Sequence, residues 1–380
     1  MGSRALPTDR TLMQRALELA RRGVGLTHPN PLVGAIVVKG HQKLGEGFHQ
    51  YSRWDHAEII ALSQAGEKAR AATLYVTLEP CCTTGRTGPC TQAIVAAGIR
   101  RVVAAMKDPN PAVAGRGLAA LRRAGIDVSV GLEEERAARL NEDFAKWVRT
   151  GLPFVTLKTA LTLDGQIAVR SGHSTALTGD RARQAVHRLR HSADALLTGI
   201  GTVLTDDPLL TDRSGRPRRR RLLRVVLDSR LRIPLRSQIV QTAARDVLLF
   251  TAQPTDSRKA QALERRGLEI FHLPAPAGQM DLNLVLRELG RREILNVLLE
   301  AGAALNGAAL KADLVDKVAL FYAPKIMGTG GVPMAEIPAA RWFSRAPTLS
   351  RLEVNPCGPD FVVEGYFHDV YRNHRSRRTN

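Results

Sequence analysis

The feature that most constrains the fold of this 380-residue chain is an alternation of short apolar segments with longer amphipathic segments. Such alternation predicts strands and helices that pack in layers, as in α/β proteins. The breaker-rich residues 150–153 interrupt the pattern, which begins again at Phe154, so we expect α/β domains at 1–150 and 151–370 and a basic tail at 371–380. The predicted strands are 33–38, 73–78, 101–106, 127–130, 154–160, 195–198, 222–227, 247–250 and 294–300; the predicted helices are 8–22, 56–69, 90–97, 117–124, 133–149 and 180–191.

The composition narrows the class of protein. Apolar residues make up 44% of the chain and charged residues 24%, which argues against a disordered or fibrous protein. No apolar stretch approaches the ~18 residues of a membrane span, and residues 1–10 lack the apolar core of a signal peptide. Four cysteines are too few for a disulfide framework, and Cys81, Cys82 and Cys90 cluster. We expect a soluble cytoplasmic protein with a metal or catalytic cysteine site.

The net charge of +19 raises nucleic acid as a candidate partner. The basic residues concentrate at 216–221 and 372–380, and no aromatic residue interleaves with either run. Aromatic residues are 4% of the chain, so stacking platforms for single strands are poorly supplied. We therefore interpret residues 218–221 as an exposed loop whose charge is solvated, and we do not expect nucleic acid as the main partner.

Three short segments carry the first candidate site. His56 and Glu58 stand at a predicted helix start, Cys81 closes a strand, and Cys90 opens a helix. One histidine and two thiolates are the ligand set of a catalytic zinc ion, with a fourth position open for water. A glutamate two residues after the histidine is placed to move protons without binding the metal. Each segment alone is close to chance, but their order is specific, and it predicts one zinc per chain.

The spacing of the two cysteine ligands departs from the common deaminase pattern. Cys82 is a competing ligand, but the position of Cys81 directly after Pro80 favours Cys81. Eight residues separate Cys81 from Cys90, where common deaminases have two. This longer loop ends in Thr84-Gly-Arg-Thr-Gly-Pro-Cys90, and two Asn-Pro turns flank the motif, in His28-Pro-Asn-Pro31 and Asp108-Pro-Asn-Pro111.

Together these motifs closely resemble the bifunctional deaminase–reductase family of riboflavin biosynthesis, from about Thr11 to Glu364. The resemblance implies a cytidine-deaminase-like α/β/α sandwich that deaminates a diaminopyrimidinone ribosylamine 5′-phosphate. It implies zinc ligands His56, Cys81 and Cys90, the proton shuttle Glu58, and a substrate pocket of Asn30, Arg86, Asp108 and Asn110, with Arg86 at the phosphate. The chain departs from the family at Thr83 and Thr84, where a histidine is usual, and at Trp54 before the first ligand.

The second domain has neither a complete dinucleotide fingerprint nor a Walker loop. Its segments Lys158–Gly165, Gly199–Pro208, Leu227–Ser229 and Glu300–Gly302 resemble the reductase half of the same family, which implies a dihydrofolate-reductase-like α/β fold and NADPH. The implied NADPH contacts are Thr202, Asp206, Ser229, Gly302, Ala303, Ala304, Leu305, Asn306, Gly307 and Ala308. The implied contacts to the phosphorylated substrate are Lys158, Ser174, Arg190, Leu210, Arg213 and Glu300. Ala176 stands where the family often has tryptophan.

We therefore expect an enzyme that deaminates the pyrimidine and then reduces its ribosyl group to ribityl. The partner is a small phosphorylated pyrimidine rather than a membrane, and the chain is compatible with a homo-oligomer. Two other hypotheses share the zinc motif: a tRNA-type adenosine or cytidine deaminase, and an RNA-binding protein on a deaminase scaffold. The large second domain argues against the first, and the intact Glu58 argues against the second.

Overall fold

The structure, a computed structural model, describes residues 8–84, 88–170, 172, 176–338, 343, 346 and 348–371, without the side chain of Ala277. Arg86, Ser174 and the tail from residue 372 onward lie outside these residues. The chain divides into two compact units, Met1–Thr150 with Pro217–Arg219 and Gly151–Arg216 with Arg220–Asn380. Within the described ranges, no helix is both long and apolar enough to cross a membrane.

The first unit is built on a five-stranded sheet in the order β2-β1-β3-β4-β5. Strand β1 is antiparallel to β2 and β3, whereas β3, β4 and β5 are parallel. Its elements are α1 (Asp9–Arg21), β1 (Gly34–Lys39), β2 (Gln42–Phe48), α2 (Ala57–Ala65), β3 (Thr73–Val76), α3 (Cys90–Ala96), β4 (Arg101–Ala104), α4 (Arg116–Arg123), β5 (Asp127–Val130), α5 (Glu134–Leu140) and α6 (Glu142–Thr150).

Helices cover both faces of this sheet. Buried residues of β1, β3 and β4 pack with α2, α3 and α4 in one apolar core. Helix α1 covers the opposite face, and its first turn is capped by Thr8, whose side chain accepts the N–H of Thr11. A Cβ atom on Gly34 would lie 2.1 Å from the carbonyl oxygen of Ala16, so only glycine lets β1 approach α1 this closely.

Two features of the first unit differ from the prediction. Strand β2 was not expected, because Gly45 and Gly47 interrupt its alternation of apolar and polar residues. Glycine is needed at position 45, because a Cβ there would lie 2.1 Å from the Ala61 carbonyl oxygen in α2. The single helix predicted at 133–149 is two helices, α5 and α6, which meet at Asn141. The Asn141 side chain accepts the Leu32 N–H at 2.7 Å and donates to the Leu32 carbonyl at 3.0 Å.

The second unit is built on a nine-stranded sheet in the order β11-β10-β9-β8-β12-β6-β13-β16-β15, in which β16 and β15 are antiparallel additions to parallel strands. Its elements are β6 (Phe154–Thr162), β7 (Gln166–Ala168), α7 (Asp180–Ser192), β8 (Ala195–Gly199), α8 (Ile200–Asp206), β9 (Leu223–Leu227), α9 (Gln238–Gln241), β10 (Val247–Thr251), α10 (Arg258–Glu264), β11 (Leu268–His272), α11 (Leu282–Arg291), β12 (Asn296–Leu299), α12 (Ala303–Lys311), β13 (Lys317–Ala323), β14 (Val332–Pro333), β15 (Ser350–Cys357) and β16 (Asp360–Tyr366).

The central strands of the second unit are buried on both faces. Leu197 and Val225 pack in a core with α11 and α12, whereas Leu196 and Val226 pack in a second core with α8, α9 and α10. Successive side chains of a strand point to opposite faces, so a strand covered on both sides is a continuous apolar run. This explains why β8, β9 and β10 were recognisable from the sequence.

The basic run at 218–221 is not uniformly the exposed loop that the sequence predicted. Arg220 and Arg221 are exposed, but Arg219 is half-buried in the first unit. The Arg219 N–H donates to the Gly25 carbonyl at 2.7 Å, and its guanidinium lies 3.4 Å from the centre of the Tyr51 ring. A guanidinium stacked on an aromatic ring is a structural contact rather than solvated surface charge.

Candidate active sites

The topology of the first sheet brings the predicted deaminase residues to one edge. Strands β3 and β4 are parallel, so Cys81 and Asp108, which follow them, lie at the same edge. Strand β1 runs antiparallel to β3, so Asn30, which precedes β1, lies at that edge as well. Helices α2 and α3 begin there, with His56 at the N-cap of α2 and Cys90 as the first residue of α3.

Three of these residues form a compact set of metal donors. The Nδ1 atom of His56 lies 3.1 Å from the Cys90 Sγ and 3.4 Å from the Cys81 Sγ. Zinc bonds of about 2.0–2.3 Å at tetrahedral angles place ligand atoms roughly 3.5 Å apart, so the donors fit one zinc ion. Cys82 contributes no atom to this group in the part of the chain that the structure describes.

The electrostatic setting suits a metal and a proton carrier. Hydrogen bonding from the Cys90 thiol and from His56 lowers the pKa of Cys81, which favours the thiolate that binds metal. Glu58, in the first turn of α2, is 3% exposed, and this burial raises the pKa of its carboxyl group. A buried carboxyl group whose pKa is raised above its ordinary value is suited to take up and return a proton.

The zinc donors open into a cavity of about 310 Å³. Asn30, Asp108 and Asn110, which the resemblance assigned to the substrate, line this cavity together with Glu58. Burial raises the pKa of Asp108 to about 6. The structure therefore brings the expected pocket residues together, with the exception of Arg86, which lies outside the described residues.

Residues that were assigned no role from the sequence also line the cavity, among them His49, Glu79 and Phe144. The Nε2 atom of His49 lies 3.0 Å from the Asn30 amide nitrogen, and its Nδ1 lies 3.0 Å from the Asp55 carbonyl oxygen. An Nδ1–H that donates to Asp55 leaves Nε2 to accept from Asn30, which fixes the Asn30 amide. His49 follows the unpredicted strand β2, so its place at the site had no local signal.

A second cavity, of about 470 Å³, lies in the second unit at the carboxyl ends of β8 and β12. Gly302 is the N-cap of α12, and the first turn of that helix, whose N–H groups have no partner within a helix, lines the cavity. Ten predicted residues line it: Lys158, Arg190, Thr202, Asp206, Leu210, Glu300, Gly302, Ala303, Ala304 and Leu305. Ile167, Arg170 and Glu336 also line it, although the sequence did not single them out.

A buried ion-pair network forms part of the lining of this cavity. Arg190 donates to Glu300 through Nε at 2.7 Å and Nη2 at 3.0 Å, and the Lys158 Nζ lies 3.4 Å from Glu300 Oε2. Burial disfavours the Glu300 carboxylate, but Lys158 and Arg190 outweigh it and hold the pKa of Glu300 at about 2. The glutamate therefore stays ionised and orients both cations.

Some residues assigned to the reductase by resemblance do not line the cavity. Arg213 and Ser229 are not among its lining residues, nor are residues 306–308. Asn306 is fully buried, and its amide donates to the carbonyl oxygens of Ala301 and Met334. These two hydrogen bonds hold the backbone after β12, so the Asn306 side chain has a structural role. Ser174 lies outside the described residues.

Comparison with protein families gives two matches in series along the chain. The cytidine and deoxycytidylate deaminase zinc-binding region matches residues 6–106, and the RibD C-terminal domain matches residues 153–363. The riboflavin biosynthesis protein RibD of Escherichia coli (strain K12) is 43% identical over 366 residues, covering 93% of this chain and 98% of the relative. RibD of Aquifex aeolicus (strain VF5) is also 43% identical, over 355 residues that cover 93% of this chain and 97% of the relative.

Solved structures agree with these matches. Acinetobacter baumannii RibD, form 1, superposes with a TM-score of 0.85 at 39% identity, covering 94% of this chain and 98% of that chain. A Thermotoga maritima deaminase/reductase superposes with a TM-score of 0.80 at 36% identity, with the same coverage. The expected fold class, a deaminase domain followed by a reductase domain, is confirmed, and the nucleic-acid deaminase alternative is not favoured. The chain belongs to the RibD family and is a bifunctional, zinc-binding deaminase and reductase of riboflavin biosynthesis.

Proposed function

We propose that the two reactions occur in the two cavities, with the deaminase domain ending near Thr150 and the reductase domain beginning near Gly151. The first cavity would deaminate a diaminopyrimidinone ribosylamine 5′-phosphate, and the second would reduce the ribosyl group of the product with NADPH. The Thermotoga maritima relative is described as a diaminohydroxyphosphoribosylaminopyrimidine deaminase/5-amino-6-(5-phosphoribosylamino)uracil reductase. The observation that carries the proposal is the zinc donor set His56, Cys81 and Cys90 beside the buried Glu58 in one cavity.

In the deaminase cavity, zinc when bound lowers the pKa of water and so supplies a nucleophile at neutral pH. Glu58 would take up a proton at its carboxylate as water attacks and would return a proton to the departing amine, so that ammonia leaves as a neutral molecule. Asn30, Asp108 and Asn110 hold the pyrimidine ring with its amine-bearing carbon towards Glu58. Val33 and Leu78 add apolar surface to the lining of this cavity.

In the reductase cavity, the nicotinamide of NADPH would supply a hydride to C1′ of the ribosyl group. The N-terminus of α12 at Gly302 is suited to a cofactor phosphate, because its free N–H groups favour negative charge. Arg190 and Lys158 would face the substrate, where Lys158 supplies positive charge and a proton near the reacting carbon. Glu300 keeps both cations in place through its ion pairs.

A two-step assay tests this assignment on the full-length protein. The purified chain is given the diaminopyrimidinone substrate, first without and then with NADPH, while ammonia release and NADPH oxidation are followed separately. Ammonia release without NADPH, followed by NADPH oxidation that depends on the deaminated product, is the expected result. NADPH oxidation that precedes ammonia release would reverse the order of the proposal.

Replacing Asp206 with Ala should raise the KM for NADPH about tenfold and leave ammonia release unchanged. Asp206 ends α8 and lines the reductase cavity, where its carboxylate can accept hydrogen bonds from cofactor hydroxyl groups. The KM is measured from NADPH oxidation on supplied deaminated substrate. Asp256→Ala, a change in the same unit that lies outside the cavity lining, is the matched control. An unchanged KM for NADPH in Asp206→Ala would remove Asp206 from the cofactor site.

Replacing Glu300 with Gln should lower reduction at least about tenfold and lower the free energy of unfolding by on the order of 3 kcal/mol, because two buried cations lose their counter-charge. Chemical denaturation and NADPH oxidation at saturating substrate measure the two effects. Glu264→Gln, at an exposed position of α10, provides the control. Full reductase activity in Glu300→Gln would show that the charge of Glu300 does not orient Lys158 and Arg190.

A further inference from the structure

Glu79 lies two residues before the zinc ligand Cys81, and its carboxylate accepts hydrogen bonds from one loop, residues 108–118. The residue is 6% exposed and lines the deaminase cavity. Its Oε2 accepts the N–H groups of Asp108 at 3.1 Å and Gly115 at 2.8 Å. Its Oε1 accepts those of Gly117 at 2.8 Å and Leu118 at 3.3 Å. One side chain thus holds both ends of the loop 108–118.

This loop carries two of the proposed substrate contacts. Asp108 Oδ1 accepts the Asn110 N–H at 2.8 Å, and Asn110 Oδ1 accepts the Ala112 N–H at 3.0 Å, so the turn is also held from within. The far end of the loop packs directly on the zinc segment, since a Cβ on Gly117 would lie 2.0 Å from the Pro80 carbonyl oxygen. The position of Asp108 and Asn110 relative to Cys81 therefore depends on the contact between Glu79 and this loop.

A carboxylate is the group that this contact requires. Its two oxygens accept several hydrogen bonds and donate none, and all four partners here are N–H donors. Gly117 and Leu118 lie in the first turn of α4, where N–H groups have no partner within the helix and favour negative charge. Glutamine at this position would present an NH₂ group to N–H donors, and at least one pair of hydrogen bonds would be lost.

We propose that Glu79 is a positioning residue for deamination: its carboxylate fixes the loop 108–118 so that Asp108 and Asn110 face the substrate beside the zinc ligands. This inference rests on the proposed substrate roles of Asp108 and Asn110. Glu79 touches neither the metal donors nor the reacting atoms in this account. It acts through the loop, so its loss changes where the substrate lies and leaves the metal and Glu58 in place.

The test compares Glu79→Gln with Asn110→Ala and with the double variant in the full-length protein. Glu79→Gln should raise the KM for the pyrimidine substrate at least about tenfold and change kcat less than threefold, with one zinc per chain retained. The loss in the double variant should be smaller than the product of the two single losses, because Glu79 acts partly through Asn110 and residues that act through one another are not additive. Reduction of supplied deaminated product should be unchanged in all three variants, and Glu67→Gln, an exposed position of the same unit, is the control.

Glu79→Asp keeps a carboxylate but shortens the side chain that reaches the loop, so it should also raise KM, by a smaller factor, and it keeps the test available if Glu79→Gln does not fold. An unchanged KM in folded Glu79→Gln, or fully additive losses in the double variant, would overturn the positioning role. The positioning role would also be overturned if Glu79→Gln lost zinc and the KM of its zinc-loaded fraction were unchanged. That result would mean that Glu79 supports only the metal site. If Asn110→Ala and Asp108→Ala both leave deamination unchanged, the proposed substrate pocket itself is wrong, whatever Glu79 does.

Discussion

Replacing Glu58 with Gln should lower the rate of deamination at least about 10²-fold, while one zinc per chain remains bound. Glutamine keeps the size and much of the hydrogen bonding of the side chain, but it cannot carry a proton between water and the departing amine. Burial raises the pKa of Glu58 above its ordinary value, which favours uptake of a proton by this carboxyl group. The three zinc donors, His56, Cys81 and Cys90, keep their own side chains in this variant.

Ammonia release under single-turnover conditions measures this effect, and elemental analysis of the same sample gives the zinc content. NADPH oxidation on supplied deaminated product is the internal control, because the two cavities share no lining residue among the residues that the structure describes. Glu67→Gln serves as the matched variant. Deamination within threefold of the unmodified chain would show that Glu58 is not the proton carrier. Loss of reduction in a folded, zinc-loaded Glu58→Gln would contradict the two-cavity proposal.

The zinc site was readable from the sequence because its donors stand at the ends of elements. His56 and Cys90 each begin a helix, and Cys81 follows a strand, so each side chain is placed by local structure that residue patterns reveal. Parallel pairing of β3 with β4 then brings Asp108 to the same edge without any further sequence signal. The two-domain α/β architecture was predictable for the same reason, since the buried strands are continuous apolar runs.

The supporting residues were not readable, because their partners are distant along the chain. Glu79 binds N–H groups as far along the chain as Leu118, and Asn141 binds the backbone of Leu32. Every residue except proline has a backbone N–H group, so no pattern of residue types identifies these groups as hydrogen-bond partners. His49 was missed for a different reason, because it follows β2, which was not predicted. The glycines of β2 allow the close approach of α2, and they interrupt the alternation of apolar and polar residues that is typical of a strand.

In the reductase cavity, too, contacts between residues that are distant along the chain could not be predicted from the sequence. The ion pair between Arg190 and Glu300 joins residues 110 positions apart, and the sequence assigned both to the substrate without predicting that they meet. Asn306 lies in the segment after β12 that the family resemblance assigned to NADPH. Its side chain is buried, and its amide donates to the backbone carbonyl oxygens of Ala301 and Met334. Motif order predicted the region of the site better than the orientation of each side chain.

Replacing Cys81 with Ser should remove zinc and abolish measurable deamination, whereas Cys82→Ser should keep zinc and most of the activity. The two cysteines are adjacent and both line the cavity, so the pair separates metal ligation from general effects of the substitution. Of these two cysteines, Cys81 belongs to the donor group that the described residues form, with its sulfur 3.4 Å from the His56 Nδ1, and Cys82 does not. A serine hydroxyl is a poor zinc ligand at neutral pH, since ligands must be deprotonated to bind.

Loss of a ligand should weaken zinc binding by more than the roughly 10–100-fold that changes in residues orienting a ligand produce. Elemental analysis after dialysis against a weak chelator should therefore find about one zinc per chain in Cys82→Ser and almost none in Cys81→Ser. Thermal unfolding should show the reductase domain intact in both, because no donor comes from the second unit. Full zinc in Cys81→Ser together with none in Cys82→Ser would exchange the roles of the two thiolates. It would also require the segment after β3 to shift by one residue, since its present course brings the Cys90 N–H 3.4 Å from the Cys81 sulfur.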